Sequence, residues 1–384
     1  MPTKANSLTM RILIAPGAFK GSLSHLQAAA AIEAGLRRSG LYADYDILPL
    51  ADGGDGTLDA LLASGGQRVT VDTFDALSRP IKADYGRLDE QTAVIEMAQA
   101  SGLAQLNPHA LDALHASTYG TGVLMQAALA AGARRFIIGL GGSATTDAGS
   151  GALQALGVHF SDAQGHALIP GGGALSQLAH IDTRALDPRW REAEIIIATD
   201  VDNPALGERG AAHVFAPQKG ASPQDVEALE ASLSHFFEQV VQQVGVDVRA
   251  VPGGGAAGAF AAGLLAFIGG RIQSGVDLVL EHHRADERLA GVQLVITGEG
   301  KPDGQTMGGK APLGIARRAS ARGIPTVAIV GGLLADDAAL HAAGIWAALP
   351  ITPHPMTLDE AVIDAAQLVE RAATRLGYLL QVRR

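Results

Sequence analysis

Five short apolar runs set the frame of this chain. "RILIAP" (11–16) and "YDILPLA" (45–51) lie near the start, while "VQLVITG" (292–298), "TVAIVGG" (326–332) and "WAALPIT" (346–352) fall in the last hundred residues. Helix-like segments lie among them: Ser24–Arg38, Leu58–Ala63, Ala311–Arg322, Asp337–Ala343 and Leu358–Leu376. Strand and helix in alternation predict a parallel sheet with crossover helices. After Gly66 the rhythm changes. "QRVTVDTFDAL", "RPIKADYGRLD" and "QTAVIEMAQA" follow one another with no helix between, which reads as antiparallel pairing. Alternation then resumes through "STYGTGVLMQAALAAG", "RRFIIGLGGS", "REAEIIIATDV" and a long helix after Ser222–Pro223. The economical arrangement is a two-domain α/β fold. A parallel, doubly wound domain (1–66 plus 288–384) is split in sequence by an inserted mixed-sheet α/β domain (67–287). Ligands of such folds bind at the carboxyl ends of strands and between domains, so the active site is expected in the inter-domain cleft.

The composition agrees and narrows the function. A length of 384 residues favours two domains, and 47% apolar residues suffice for large cores. The net charge of −10 argues against nucleic acid or an anionic membrane as partner. There is no cysteine, hence no disulfide and no thiolate metal site. The N-terminus lacks a signal-peptide pattern and no apolar run is long enough to span a bilayer, so a cytoplasmic protein is expected.

Seven Gly-rich loops carry the candidate chemistry: "APGAFKGS" (15–22), "ADGGDGT" (51–57), "GLGGSATTDAGSG" (139–151), "ATDVDNP" (198–204), "FAPQKGA" (215–221), "VPGGGAAGA" (251–259) and "TGEGKPDGQTMGGK" (297–310). Glycine lets backbone N–H groups approach an anion closely. Lysine is scarce, and four of the six (Lys20, Lys219, Lys301, Lys310) adjoin a glycine in these loops. A compact ammonium suits a phosphate cradle, although chance in Gly-rich sequence produces the same neighbours. "GGSATTDAGSG" runs from a strand towards a helix start, a favourable place for phosphate; Thr146 or Asp147 as a simple helix cap fits equally. Asp200 and Asp202 end a buried strand, where one carboxylate would orient a substrate hydroxyl and another hold magnesium. An Asx-turn before Pro204 accounts for Asp202 as well. Asp52 and Asp55 sit beside a helix start, with too few oxygen ligands around them for a calcium loop. The histidines form no zinc signature, and Ser22 and Ser143 lack a nucleophile elbow.

The last loop spells G-x-x-x-x-G-K from Gly304 to Lys310, most of a Walker A motif, but Ala311 stands where Ser or Thr belongs. Residues 298–310 also separate strand from helix, too many for that motif. An acidic-then-basic loop with Glu299, Asp303 and Lys310 is the better reading.

Taken together, "FKGSLS", "PLADGGDGT", "STYGTG", "GGSATTDAGSG", "TDVDNP", "GERGAAHVFAPQKGA", "PGGGAAGA" and "TGEGKPDGQTMGGKAP" give a chain that resembles the bacterial glycerate kinases of the type forming 2-phosphoglycerate. The resemblance runs from about Arg11 nearly to the C-terminus. It implies a flavodoxin-like domain with an inserted α/β domain, ATP and Mg2+ as cofactors, and D-glycerate as substrate. On this reading Asp200 and Lys20 are the expected catalytic residues, and Lys20, Ser22, Asp52 and Asp55 are expected around the substrate. Gly141, Gly142, Ser143, Thr145, Gly254 and Lys310 would hold ATP phosphates, and Glu299 and Asp303 the metal. Gly17 and Ala18 stand where the family usually has Asp-Ser, Thr146 where it has Asn, and Thr199 where it has Cys. A kinase of a related hydroxy acid and a non-catalytic ligand-binding protein are the alternative readings, and a homodimer is a candidate assembly.

Overall fold

The computed structural model describes residues 9–300, 311–332 and 336–382. Its contacts divide the chain into two compact units, one split in sequence (Met1–Ala51 with Val276–Arg384) and one in the middle (Asp52–Gly275). The strands in chain order are β1 (Met10–Ile14), β2 (Ala43–Ile47), β3 (Gln67–Phe74), β4 (Pro80–Arg87), β5 (Thr92–Glu96), β6 (Arg135–Gly139), β7 (His159–Ser161), β8 (His180–Asp182), β9 (Glu194–Ala198), β10 (Arg271–Gln273), β11 (Leu294–Glu299), β12 (Thr326–Val330) and β13 (Ala347–Pro350).

The split unit holds a sheet ordered β13-β12-β11-β1-β2, every neighbouring pair parallel. Counted within the unit, this is the order 2-1-3-4-5 of flavodoxin-like folds. The alternation of β1 explains why helices cover both faces. Ile12 and Ile14 join a core with Ile32, Leu36, Ile296, Val369 and Leu376. Leu13 joins a separate core with Leu48, Val276, Leu280, Val295 and Ile315. Helix His25–Arg38 starts at Ser24, whose hydroxyl accepts from Gln27 N while the Gln27 side chain accepts from Ser24 N. That reciprocal capping box satisfies two helix-end donors. The expected single helix Leu358–Leu376 is instead two, Leu358–Ile363 and Ala365–Gln381, broken at Asp364. The first buries no side chain; the second turns Leu368, Val369, Ala372, Ala373 and Leu376 inward, so packing of that stripe sets the break.

The middle unit has the sheet β10-β9-β6-β5-β4-β3. β3, β4 and β5 pair antiparallel, and β5, β6, β9 and β10 pair parallel. This mixed sheet matches the change of rhythm after Gly66. The unit's core gathers Phe160, Phe236 and Phe267, and Phe136 packs on Trp190 with ring centroids 4.7 Å apart. The seams lie at 51/52 and 275/276, where the sequence suggested Gln67 and Glu287. Side-chain packing accounts for the shift: Leu58 lies against Gly86 of β4, while Val276 and Leu280 belong with Leu13. The small antiparallel pair β7–β8 gave no sequence signal, being two three-residue strands.

Helices His25–Arg38 and Ala365–Gln381 pack closely because Gly35 has no side chain; a Cβ there would collide with the Glu370 carbonyl. Alanine is the better helix former by about 1 kcal/mol, but overpacking against backbone costs about 1–3 kcal/mol. Gly35→Ala is therefore expected to lower the urea midpoint of unfolding; an unchanged or raised midpoint would show that the pair does not need the close approach.

Candidate active site

In the middle unit, four of the Gly-rich loops form a continuous series of contacts at the carboxyl ends of β6 and β9. Loop 52–56 meets loop 139–142 backbone to backbone: Gly141 N donates to Gly53 O at 2.9 Å. A Cβ at Gly141 would collide with Gly54 Cα, and one at Gly142, whose φ is +73°, with the Asp55 carboxylate. Gly53 also packs on the Ala198 carbonyl, at the end of the strand that leads to Thr199 and Asp200. Further along, Gly255 N donates to Asn203 O at 2.9 Å, joining the loop 251–259 to "DVDNP". Asp52, Asp55, Gly141, Gly142 and Asp200 thus lie on loops that touch one another. Asp52 accepts from Gly54 N through Oδ1 at 3.1 Å, and Asp200 is half-buried.

Asp202 takes another part. It is exposed and pairs with Arg209 at 2.9 Å. Ser143 and Thr145 are buried, with Thr145 fully inaccessible. Gly254 is also buried, its N–H donating to Val251 O at 2.9 Å and its carbonyl accepting from Ala262 N. These three residues shape the site from behind, whereas Gly141 and Gly142 reach its surface.

The support of loop 139–151 is ionic and buried. Lys219 is 2% exposed, and its Nζ donates to Ser143 Oγ at 3.1 Å and to Thr145 O at 2.5 Å. Burial pushes its pKa down to about 7, opposed by the negative charge of Asp147. Asp147 is fully buried and accepts from Thr118 N, Thr118 Oγ1, Gly149 N and Gly151 N. One carboxylate thereby serves the starts of helices Tyr119–Ala130 and Ser150–Ala155. Burial still raises its pKa, against the pull of those donors. Behind the loop lies a left-handed turn, Ala257–Gly258–Ala259, with φ of 55°, 68° and 66°. Two alanines there cost about 1–2 kcal/mol each. Gly258 O receives Ala148 N at 3.0 Å, which holds the turn against the loop.

Sequence reading missed Glu96. It ends the fully buried strand β5 and accepts from Gly56 N at 3.2 Å and Leu58 N at 2.7 Å. Burial raises its pKa, and the Asp55 charge adds to the rise. The signal was present, since a carboxylate closing an apolar run is the pattern that drew attention to Asp200. Lys219 was noticed as a lysine beside glycine, yet it holds the loop from inside rather than from the surface.

In the split unit, Lys20 is exposed at the tip of a tight turn in which Phe19 and Leu23 exchange backbone bonds of 2.8 and 2.9 Å. Ser22 Oγ donates back to Phe19 O at 3.0 Å, which uses its hydroxyl locally. Gly17 N donates to Gly298 O at 2.8 Å, so this loop lies beside the end of β11 and Glu299. β1 and β11 are neighbours where the strand order reverses, the usual ligand position of a doubly wound sheet. Gly17 has room, its virtual Cβ lying 3.4 Å from Pro312 Cγ. Lys301, Asp303, Gly304 and Lys310 lie outside the described residues. Among the described residues no three His, Cys, Asp or Glu side chains gather into a metal-holding group. Also among the described residues, no helix is long and apolar enough to cross a membrane.

Comparison with known proteins bears on the whole chain. A model described as the glycerate kinase family matches residues 12–381. The glycerate kinase of Bacillus subtilis (strain 168) is 44% identical over 375 residues, covering 97% of this chain and 98% of the relative. The glycerate 2-kinase of Escherichia coli (strain K12) is 41% identical over 376 residues, with the same coverage. A crystal structure from Salmonella typhimurium LT2, provisionally assigned as glycerate kinase 2, superposes with a TM-score of 0.84 at 40% identity, covering 98% of this chain and 99% of that one.

The buried Lys219 predicts a pH dependence of stability. Its folded pKa of about 7 lies below the ordinary 10.5. Between these values the unfolded chain binds more protons, so stability rises with pH across that window and is flat below it. Measured by denaturant unfolding, the stability of wild type relative to Lys219→Met is expected to grow between pH 7 and about pH 10. A difference independent of pH would contradict the burial of the ammonium.

Proposed function

The chain belongs to the glycerate kinase family, and from that premise we propose that it transfers the terminal phosphoryl group of ATP to the 2-hydroxyl of D-glycerate, giving 2-phosphoglycerate and ADP. The observation that carries this reading is the direct contact of loops 52–56 and 139–142. Side-chain-free glycine backbone lies there next to the carboxylates of Asp52 and Asp55. A phosphate chain needs amide donors without side-chain obstruction, and a hydroxy acid needs carboxylate and cation partners. Gly142 fits the first requirement, being exposed and without a side chain, while Gly141 gives its N–H to Gly53 O and holds the turn against loop 52–56.

ATP, when bound, supplies the electrophilic phosphorus, and Mg2+ neutralises the charge on its phosphates. The residues of the chain do the rest. Asp200, at the end of β9, orients the acceptor hydroxyl and takes its proton as the oxygen–phosphorus bond forms. Lys20 offsets the negative charge of the substrate carboxylate or of the moving phosphoryl group. Asp52 and Asp55 fix the remaining hydroxyl, with Ser22, whose O–H is given to Phe19 O, completing the substrate contacts as an acceptor through Oγ. Gly142 presents its amide to the phosphates and Gly141 fixes the turn beside it through its bond to Gly53 O, backed by Ser143, Thr145 and Gly254, with Lys310 a further phosphate partner. Glu299 and Asp303 are the proposed metal carboxylates. One or two carboxylates suffice for Mg2+ held mainly by nucleotide phosphates.

A coupled assay on the purified chain is expected to show ADP release that depends on D-glycerate; no ADP at saturating glycerate would refute the proposal. Asp200→Asn is expected to lower kcat by about 10²–10⁴, the usual share of a general base. Near-normal kcat in that variant would remove Asp200 from the role.

A further inference from the structure

Lys219 stands outside the proposed reacting groups, yet it places a basic side chain in the interior of the middle unit, at 2% exposure. Its side chain leaves the single turn Pro217–Lys219 and crosses to loop 139–151, where it meets Ser143 Oγ and Thr145 O. No carboxylate lies within ion-pair distance of it among the described residues; Asp147 acts on it only through its field. An ammonium with 2% exposure and two neutral acceptors is a costly way to hold a loop if packing alone were needed. An apolar side chain of the same volume would fill the space, but it would leave the loop free to choose another path for its carbonyl and hydroxyl groups.

The two anchor points are informative. They are residues 143 and 145, immediately after the glycine pair that reaches the site surface. On the far side of that pair, Gly141 N is tied to Gly53 O. Between these ties the backbone also pairs with its neighbour: Leu103 N donates to Gly142 O at 2.7 Å and Ala144 N to Ser101 O at 2.9 Å. The direction of the Gly142 amide is therefore set at one end by loop 52–56 and at the other by the pairing with residues 101–103 together with the Lys219 ammonium. We propose that Lys219 is a positioning residue for nucleotide binding, fixing through Ser143 and Thr145 the orientation in which the Gly142 amide meets the phosphates of ATP. This rests on the reading that loop 139–142 is the phosphate-binding loop.

The test uses the full chain and ADP as probe, with affinity measured by isothermal titration calorimetry and KM for both substrates measured in parallel. Lys219→Met is expected to weaken ADP binding by about tenfold or more, as befits loss of charge-assisted hydrogen bonds. Ser143→Ala removes only one anchor and is expected to weaken it by about threefold. The double variant should bind ADP no more weakly than Lys219→Met, because the lysine acts through the serine. KM for D-glycerate should change less than KM for ATP. Gly142→Ala probes the loop itself and is expected to weaken ADP binding as well. If Gly142→Ala weakens ADP binding while Lys219→Met and Ser143→Ala leave it unchanged, the positioning role is overturned and the phosphate-loop reading stands. If Gly142→Ala has no effect on ADP affinity, the loop reading fails and takes the inference with it. Lower thermal stability of Lys219→Met with unchanged ADP affinity would also overturn it, as a merely structural role. Should Lys219→Met fail to fold, Ser143→Ala decides: unchanged ADP affinity overturns the inference.

Discussion

The candidate site in the middle unit turns on one backbone contact, Gly141 N to Gly53 O at 2.9 Å. Two loops from distant parts of the chain approach until their Cα atoms leave no space for side chains. That approach brings the carboxylates of one loop beside the amides of the other. It also explains why so many supports converge behind it. Glu96 holds loop 52–56 from beneath by accepting from Gly56 and Leu58. Lys219, Asp147 and the left-handed turn at 257–259 hold loop 139–151. A loop made flexible by glycine pays a large conformational entropy for being fixed. Buried charge and local strain are the means by which this chain fixes it.

The electrostatics follow the same logic. The surface carries a net charge of −10, which alone would repel ATP and glycerate. Scarce lysines and oriented amides offer local compensation, and Lys20 is the exposed example in the described split unit. Lys219 shows that a lysine beside glycine can serve the opposite purpose. Its charge is spent inside, where burial brings its pKa down to about 7.

Much of this was legible in the sequence, for identifiable reasons. Parallel strands such as β1 and β11 are buried on both faces and read as continuous apolar runs. β3, β4 and β5 read as antiparallel because no helix-length segment lies between them. The capping boxes at Ser24 and at Ser222–Asp225 mark their helices through local chemistry alone. What stayed hidden depends on tertiary contact. The break at Asp364 follows from which stripe reaches the core, and no glycine or proline announces it. The interior course of Ser143 and Thr145 and the burial of Lys219 depend on loops that are far apart in sequence. The left-handed alanines at 257 and 259 run against the preference of their residue type, so only the surrounding structure shows them.

The central claim concerns which atom receives the phosphoryl group, and phosphorus NMR of the reaction mixture tests it most directly. With D-glycerate and ATP as the only substrates, the account predicts a new phosphate-ester resonance coupled to the single proton on carbon 2, growing in step with the ADP signals. A resonance coupled instead to the two protons on carbon 3, or ADP formed with no phosphoglycerate, would contradict it.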